Sequence, residues 1–239
     1  QECLPESGEL VEESDIRKTL ERLREHVRQV QEPSRAALLS AAAELTSPGI
    51  GKASLLLECG NLDLLQRQVS RERLRALLDQ VQQLLEKTCR LYHGQRMPVS
   101  GSCLKIVFSA ADGQEAEAML QAACCAHVLA GALKSCRDEQ LGIALHWNVA
   151  LDWHPACDND LLCNRQHAAD EQRGAWLCRQ VGSGQLAVSV AAEPWLRGQD
   201  KLTLAADHGE GGKAFFRIVD FAPVQRQLLD RQVSQLLDS

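Results

Sequence analysis

Four side chains that favour zinc lie close together in the second half of the chain. They are His154, Cys157, Cys163 and His167, and they occupy a stretch of 14 residues. Two imidazoles and two thiolates form a ligand set that tetrahedral zinc sites use. However, the five residues between the two cysteines are not a standard zinc-knuckle spacing, and a polar loop that contains these residues incidentally is the simpler interpretation. Zinc binding by this loop is therefore a secondary hypothesis.

A carboxylate and a hydroxyl stand beside two of the predicted strands. Glu58 comes near the end of one apolar run, and Ser102 immediately precedes another. A carboxylate is a good ligand for a hard divalent cation, whereas a neutral hydroxyl is a poor one. Phosphate-binding loops of the Gly-x4-Gly-Lys-Ser/Thr type are absent from the sequence, and the glycine-rich stretch 209–213 is predicted to be a hairpin turn because a strand pattern follows it.

The elements that must position these residues alternate along the chain from about residue 51. Apolar runs predict strands, and apolar residues at helical spacing predict helices. The predicted strands are 53–59, 97–99, 103–108, 141–151, 185–190, 202–206 and 215–221, and the predicted helices are 70–92, 114–135, 158–182, 193–197 and 224–237. This mixture of hairpins and helices indicates an α+β fold with a ferredoxin-like mixed sheet and helices packed on it.

Residues 1–50 are predicted to be an extension and residues 51–239 the main domain. The first 14 residues are acidic and lack periodicity. Ile16, Leu20, Leu23 and Val27 lie at helical spacing and predict an amphipathic helix over 15–31 that ends before Pro33, with a second helical segment at 34–45. The narrow apolar stripe of the first helix is typical of packing on the domain itself or on a twin helix.

Composition limits the classes of function. The chain has 239 residues, 45% of them apolar, and a net charge of −6. No basic stripe is present, so nucleic acid is not an expected partner. The sequence also lacks a signal peptide pattern and a continuous apolar run of about 18 residues. Because it begins with Gln1, we expect a soluble piece of a longer or processed protein, joined to a membrane only through a segment that this chain lacks.

Ten cysteines are a high number for a cytosolic chain. Several of them fall inside apolar helix or strand patterns, where a free cysteine acts as a small hydrophobic residue. These are Cys89, Cys103, Cys124 and Cys178. A domain of this length does not need disulfides to hold its core together. We therefore expect reduced thiols and a cytoplasmic location.

Residues 53–222 resemble the catalytic domain of class III adenylate and guanylate cyclases. The resemblance rests on three segments in the family's order, with Phe215-Phe216-Arg217-Ile218-Val219 suiting the last strand. Gly101-Ser102-Cys103 and the apolar run to Phe108 resemble the central hairpin, Leu141–His146 resembles the strand that leads into His-Thr-Gly, and 174–178 with 184–189 resemble a later helix and strand. The resemblance implies the cyclase fold, head-to-tail pairing of two domains, and two metal ions held by two aspartates.

The residues that the family uses for catalysis are replaced at the matching positions. Glu58 takes the place of the first metal-binding Asp and Ser102 that of the second, and Gln172 and Trp176 replace the Asn and Arg that stabilise the transition state. His146 begins the segment that matches His-Thr-Gly, although Trp147 and Asn148 replace its other residues. Glu58, Ser102 and His146 also have plainer interpretations: a polar residue at a strand end, a turn residue and a core histidine.

These losses indicate a cyclase-like domain without catalytic activity. We expect a regulatory or dimerising module of a bacterial-type signalling protein, with a second copy or another signalling protein as partner. No cofactor is expected, with Mg²⁺ or Mn²⁺ at Glu58 and Zn²⁺ at the 154–167 loop as alternatives. The alternative functions are an atypical cyclase, including one half of a heterodimer, and a module that binds nucleotide or metal without turnover.

Overall fold

The structure is a computed structural model that describes residues 51–97, 99, 103–138, 140–155 and 160–238, and of 160–167 only the helical backbone. Fourteen elements follow one another in this part of the chain. They are β1 Lys52–Cys59, α1 Leu62–Gln68, α2 Arg71–Tyr92, β2 Gln95–Met97, β3 Cys103–Ser109, α3 Glu115–Leu133, β4 Trp147–His154, α4 Asp160–Gln180, β5 Leu186–Val188, α5 Glu193–Arg197, β6 Leu202–His208, a 3₁₀ turn Glu210–Gly212, β7 Ala214–Phe221 and α6 Pro223–Asp238.

The seven strands form one mixed sheet in the order β2-β3-β1-β4-β5-β7-β6. β4 and β5 are parallel, and every other neighbouring pair is antiparallel. A parallel pair needs a crossover connection, and α4 supplies it here. The strand β1 lies between β3 and β4, so its backbone is paired along both edges.

One face of the sheet carries most of the hydrophobic core. Because side chains alternate along a strand, Leu55 and Leu57 of β1 point to the same face, where they pack with α2, α3 and α6. The helix α3 is buried along most of its length because it lies between the sheet and the neighbouring helices. Its length and composition also suit a membrane span, but 72% of the relevant window is buried inside the domain, as in the core helix of a folded domain.

The other face of the sheet is covered by α4. Leu56 of β1 and Ala150 of β4 pack there against Leu177 and Cys178 of the helix. Gly174 lets the helix approach closely, because a Cβ at this position would lie 2.8 Å from Leu56 Cδ2. The same face also carries several polar side chains, which lie where a strand normally buries apolar ones.

The predicted α+β fold with a mixed sheet is confirmed, and most predicted elements lie within a few residues of the observed ones. The strand predicted at 141–151 was placed too early, since β4 begins at Trp147. Residues 141–146 instead form a turn and the extended segment that follows it. Gly142 has a φ of 66°, and Asp138 accepts hydrogen bonds from the backbone N–H groups of Leu141 and Gly142. The short helix α1 was not predicted. The extension predicted over residues 1–50 lies outside the described residues.

Candidate functional site

A group of polar side chains occupies the α4 face near the end of β4. Ser54 of β1 pairs with Asp152 of β4 in the antiparallel register, and His154 follows two residues later on the same face. The Oγ atom of Ser54 lies 2.7 Å from His154 Nε2. Ser54 and Asp152 are buried and His154 is largely so, although polar groups are rarely left inside a protein without partners.

Helix α4 contributes two further charged side chains, one turn apart. Nε of Arg173 donates to Asp152 Oδ2 at 2.7 Å, and Nη2 of Arg173 donates to Asp170 Oδ1 at 2.7 Å. Nδ1 of His154 lies 2.7 Å from Asp170 Oδ2. The side chains of Asp152 and Asp170 are each only 4% exposed, whereas that of Arg173 is 40% exposed. We refer to Asp152, His154, Asp170 and Arg173 as the Asp–His–Arg cluster.

The charges of the cluster shift the ionisation of its members. Burial alone raises the pKa of Asp170, but His154 and Arg173 outweigh burial and leave this pKa below its ordinary value. Burial alone lowers the pKa of Arg173, and Asp152 and Asp170 outweigh it, so the guanidinium is held more firmly protonated than usual. The folded domain thus favours an ionised Asp170 carboxylate beside the Arg173 guanidinium.

A buried lysine adds a further cation to this face. Lys105 of β3 is 9% exposed, and burial lowers its pKa. The carboxylates of Glu171, Asp170 and Asp152 partly offset the effect of burial. The α4 face of the sheet therefore holds a network of opposite charges, and much of its charge is neutralised within the chain itself.

An open groove of about 830 Å³ lies beside the cluster. It is formed where the parallel strands β4 and β5 end, a place where α/β sheets often bind ligands. Its walls combine aromatic rings with polar and charged groups: Trp153, Trp176, Gln172, Arg173, Asp170, Ser189 and Lys213. The ammonium of Lys213 lies 5.7 Å from the centre of the Trp176 ring, which is a cation–π contact.

The structure brings together some of the residues predicted from the sequence and separates others. Gln172 and Trp176 both line the groove, and the Trp176 ring packs edge-on against Phe215. Glu58 and His146 lie towards the opposite end of the β1–β4 pair, where Glu58 is opposite Asn148. His146 is exposed, and its backbone bonds to Asn61 and Gly60, so it is not a core histidine.

The segment 146–148, which matches His-Thr-Gly in the family resemblance, leads directly into β4. Trp147 and Asn148 are the first two residues of β4, and the strand continues to His154. The assignment of His146 to the family's His-Thr-Gly segment stays a prediction.

Only part of the predicted zinc loop lies within the described residues. His154 is at the end of β4, where it contacts two aspartates that the sequence analysis did not single out. Cys157 lies outside the described residues, as does Ser102, and the structure gives only the backbone of α4 at Cys163 and His167. Zinc binding by this set of four remains a prediction.

The two-metal site implied by the family resemblance does not fit the residues of this chain. Glu58 offers a carboxylate whose Oε2 atom is buried and has no hydrogen-bond partner among the described residues. The other expected acid is Ser102, which is neutral. Because hard divalent cations are held by carboxylate oxygens, one acid cannot reproduce the pair, and no catalytic step follows from these positions.

Sequence reasoning missed the acids and the lysine of the α4 face. Asp152, Asp170 and Lys105 were not singled out from the sequence. One signal was available: a charged residue inside an apolar strand pattern, as Lys105 is in Cys103–Ser109, needs a partner of opposite charge when the strand is buried.

Comparisons with known proteins give a likeness of fold. No protein-family model and no curated protein matches the sequence. Among solved structures, the chain is similar to the adenylyl cyclase CyaB from P. aeruginosa, with a TM-score of 0.57, 12% identity, and coverage of 73% of this chain and 96% of that one. It is also similar to the catalytic core of a rhodopsin-guanylyl cyclase in complex with ATPalphaS, with a TM-score of 0.56, 10% identity, and coverage of 73% and 97%.

A third similar structure is described as a non-canonical dimeric guanylyl cyclase domain of the RhoGC fusion protein from the fungus Blastocladiella emersonii. Its TM-score is 0.54, the identity is 12%, and the match covers 72% of this chain and 97% of that domain. At such low identities the likeness establishes the fold alone. Whether the activity or the assembly of these proteins extends to this chain must be argued from its own residues.

Proposed function

Because this domain has the fold of class III adenylyl and guanylyl cyclases, we propose that it is a cyclase-like module without catalytic activity. Its role is to regulate or dimerise a signalling protein of bacterial type. The module acts in the cytoplasm. Its partner is a second copy of the chain or another signalling protein.

The main support is the arrangement around Arg173. Trp176 stands where the family resemblance implies the transition-state arginine, and its indole ring cannot neutralise a phosphate. Arg173 of α4 lines the same groove, but it is bound by both Asp152 and Asp170. While both buried carboxylates hold it, the guanidinium is not free to stabilise a developing negative charge, which is a large term in phosphoryl chemistry.

The metal-binding positions support the same proposal. Glu58 and Ser102 together supply one carboxylate instead of two. Phosphoryl transfer depends on metal ions that hold the triphosphate and activate the attacking hydroxyl. A chain without the second metal-binding acid and without a free arginine lacks two of the groups that provide most of the catalytic rate enhancement.

The face of the sheet that α4 covers favours dimer formation. Only α4 covers the second face among the described helices, and beside it an open groove exposes a mixture of Trp, Gln and Lys side chains. One similar structure is described as dimeric. A second copy that packs on this side would cover the groove and the exposed Val190, which is 55% exposed.

The first experiment measures cyclic AMP and cyclic GMP formation by the purified chain with ATP or GTP and Mn²⁺. We expect no product above background, with a known cyclase as the positive control and sedimentation equilibrium on the same sample to give the oligomeric state. Product formation that Glu58→Ala abolishes would overturn the proposal. A quadruple variant with Glu58→Asp, Ser102→Asp, Gln172→Asn and Trp176→Arg tests whether restoring the missing groups restores turnover.

Two alternatives have separate readouts. A sensor that binds nucleotide without turnover would give saturable heat when ATP or GTP is titrated into the chain with Mn²⁺. A heterodimer half would produce cyclic nucleotide only after mixing with an intact partner. If neither nucleotide binds to the chain, the sensor is rejected, and if mixing yields no cyclic nucleotide, the heterodimer half is rejected. The proposed module requires neither binding nor turnover.

A further inference from the structure

Three side chains of the Asp–His–Arg cluster carry atoms that bind metals, and these atoms converge. One carboxylate oxygen each from Asp152 and Asp170 and one ring nitrogen of His154 lie within 4.8 Å of one another. A tetrahedral zinc site with ligand bonds of about 2.0–2.2 Å places its ligand atoms about 3.3 Å apart. Small side-chain rotations are therefore enough to bring these three atoms to that spacing.

The hydrogen bond of His154 to Ser54 leaves one ring nitrogen directed into the cluster. Nε2 lies 2.7 Å from Ser54 Oγ, while Nδ1 has no solvent-exposed surface and no aligned hydrogen bond among the described residues. Histidines that bind metals usually have their second nitrogen fixed in this way by a neighbouring group. When Nε2 carries the proton, the lone pair of Nδ1 faces the carboxylate of Asp170 at 2.7 Å.

A lone pair that faces a carboxylate is unfavourable unless a proton or a metal cation lies between them. Arg173 provides one positive charge for the two carboxylates, and its guanidinium approaches oxygens other than Asp170 Oδ2. Lys105 is shared with Glu171. In the other tautomer, Nδ1–H donates to Asp170 and Nε2 accepts from Ser54, so the position between Nδ1 and the two acids holds either this proton or a metal ion that replaces it.

From this geometry we propose that Asp152, His154 and Asp170 bind a divalent ion of the zinc class, and that Arg173 competes with it. The side chain of Arg173 is 40% exposed, so it can move outward and leave the two acids to the ion. The open groove beside the cluster gives the ion and a water ligand a route from solvent.

The ligand types determine the choice of ion. One imidazole and two carboxylates suit Zn²⁺ and its first-row neighbours, whereas Mg²⁺ prefers oxygen ligands alone in an octahedral arrangement. The site is distinct from the position of Glu58, which is paired with Asn148 near the other end of β4. The proposal therefore does not depend on whether the domain is catalytically inactive, and a cyclase assay does not test it.

The test is calorimetric titration of ZnCl₂ into the metal-free full chain, kept reduced, with MgCl₂ as the comparison ion. We expect Zn²⁺ to bind at the cluster and Mg²⁺ not to bind. His154→Asn and Asp170→Asn should each weaken the zinc affinity at least tenfold. Arg173→Gln should strengthen it severalfold, because the competing cation is removed; a purely structural salt bridge would give no such gain. Circular dichroism and thermal melting establish that each variant is folded.

The cysteines and the other histidines provide the controls. The double variant Cys157→Ser/Cys163→Ser should retain the site, while His127→Gln, which changes a histidine beside Asp230 on another part of the domain, should leave the affinity unchanged. With Co²⁺ as a second probe, the visible absorption spectrum should lose its ligand-field bands in His154→Asn. No zinc binding, binding unchanged in His154→Asn, or binding abolished by loss of the two cysteines would each overturn the proposal.

Discussion

His127 and His154 are both partly buried, but their neighbours differ. His154 faces two buried carboxylates and a serine. His127 of α3 packs edge-on against the Phe221 ring at 5.0 Å, and its nearest acid, Asp230, is 3.8 Å away and largely exposed. His154 thus makes mainly polar contacts, whereas His127 packs mainly against apolar groups.

The surroundings of His127 predict a dependence of stability on pH. Burial lowers the pKa of His127, and the largely exposed carboxylate of Asp230 offsets only part of that lowering. A proton therefore binds the unfolded chain better than the folded one, and stability falls as the pH drops through about 6.5. Urea unfolding at pH 8 and pH 5.5 should show a smaller loss for His127→Gln than for the wild type. His146→Gln, at an exposed position, is the control, and an equal loss in all three proteins would contradict the prediction.

Helix α4 is held on the sheet by two kinds of contact. Near its middle, Asp170 and Arg173 bind side chains of β4. Towards its end, Leu177 and Cys178 pack on Leu56, and the Cys178 thiol lies 3.6 Å from the Leu56 carbonyl oxygen. Gly174 lies between the two regions, so the distance of the helix from the sheet depends on the absence of a side chain there.

Adding a side chain at Gly174 should therefore push α4 away from β1. A Cβ would lie 2.8 Å from Leu56 Cδ2 in a packed cluster, and overpacking of a core costs about 1–3 kcal/mol. We expect Gly174→Val to lower the free energy of unfolding by about that amount, measured by urea denaturation. Gly198→Val is the matched control, because nothing lies within 4 Å of a Cβ at that position. Equal effects of the two substitutions would contradict the close approach.

Across the whole domain, the cysteines act as part of the core. Seven free cysteines lie in the described residues, and five of them are buried. Burial raises the pKa of the Cys124 thiol to about 11 and that of Cys125 and Cys178 well above the ordinary value. Thiols that are buried and protonated are poor nucleophiles, which fits a packing role.

Thiol labelling should follow this burial. In the native domain at neutral pH, N-ethylmaleimide should modify the half-buried Cys89 and Cys103 before Cys125 and Cys178, which are 0% exposed. Time-resolved labelling with peptide mass spectrometry gives the order, and labelling in denaturant removes the difference. Modification of Cys125 as fast as Cys103 in the folded protein would show that the core opens readily.

The sequence by itself determined the order of most elements and the class of the fold. Apolar runs marked β1, β3 and β5, and helical spacing marked α2 and α6, because these patterns reflect which side of an element is buried. The bounds of β4 could not be obtained in this way. They are set by pairing with β1, in which Lys52 lies opposite His154, and such pairing is a property of two distant segments.

The replacements at Glu58, Ser102, Gln172 and Trp176 were also visible in the sequence, because they depend only on residue type. Only the tertiary structure decided which polar groups meet. Asp152 and Asp170 are 18 positions apart in the chain, and they become neighbours because α4 crosses back over the strand that precedes it. Ser54, about a hundred residues earlier, joins them through strand pairing. Sequence periodicity reports burial of single elements, whereas a site depends on how several elements are packed together.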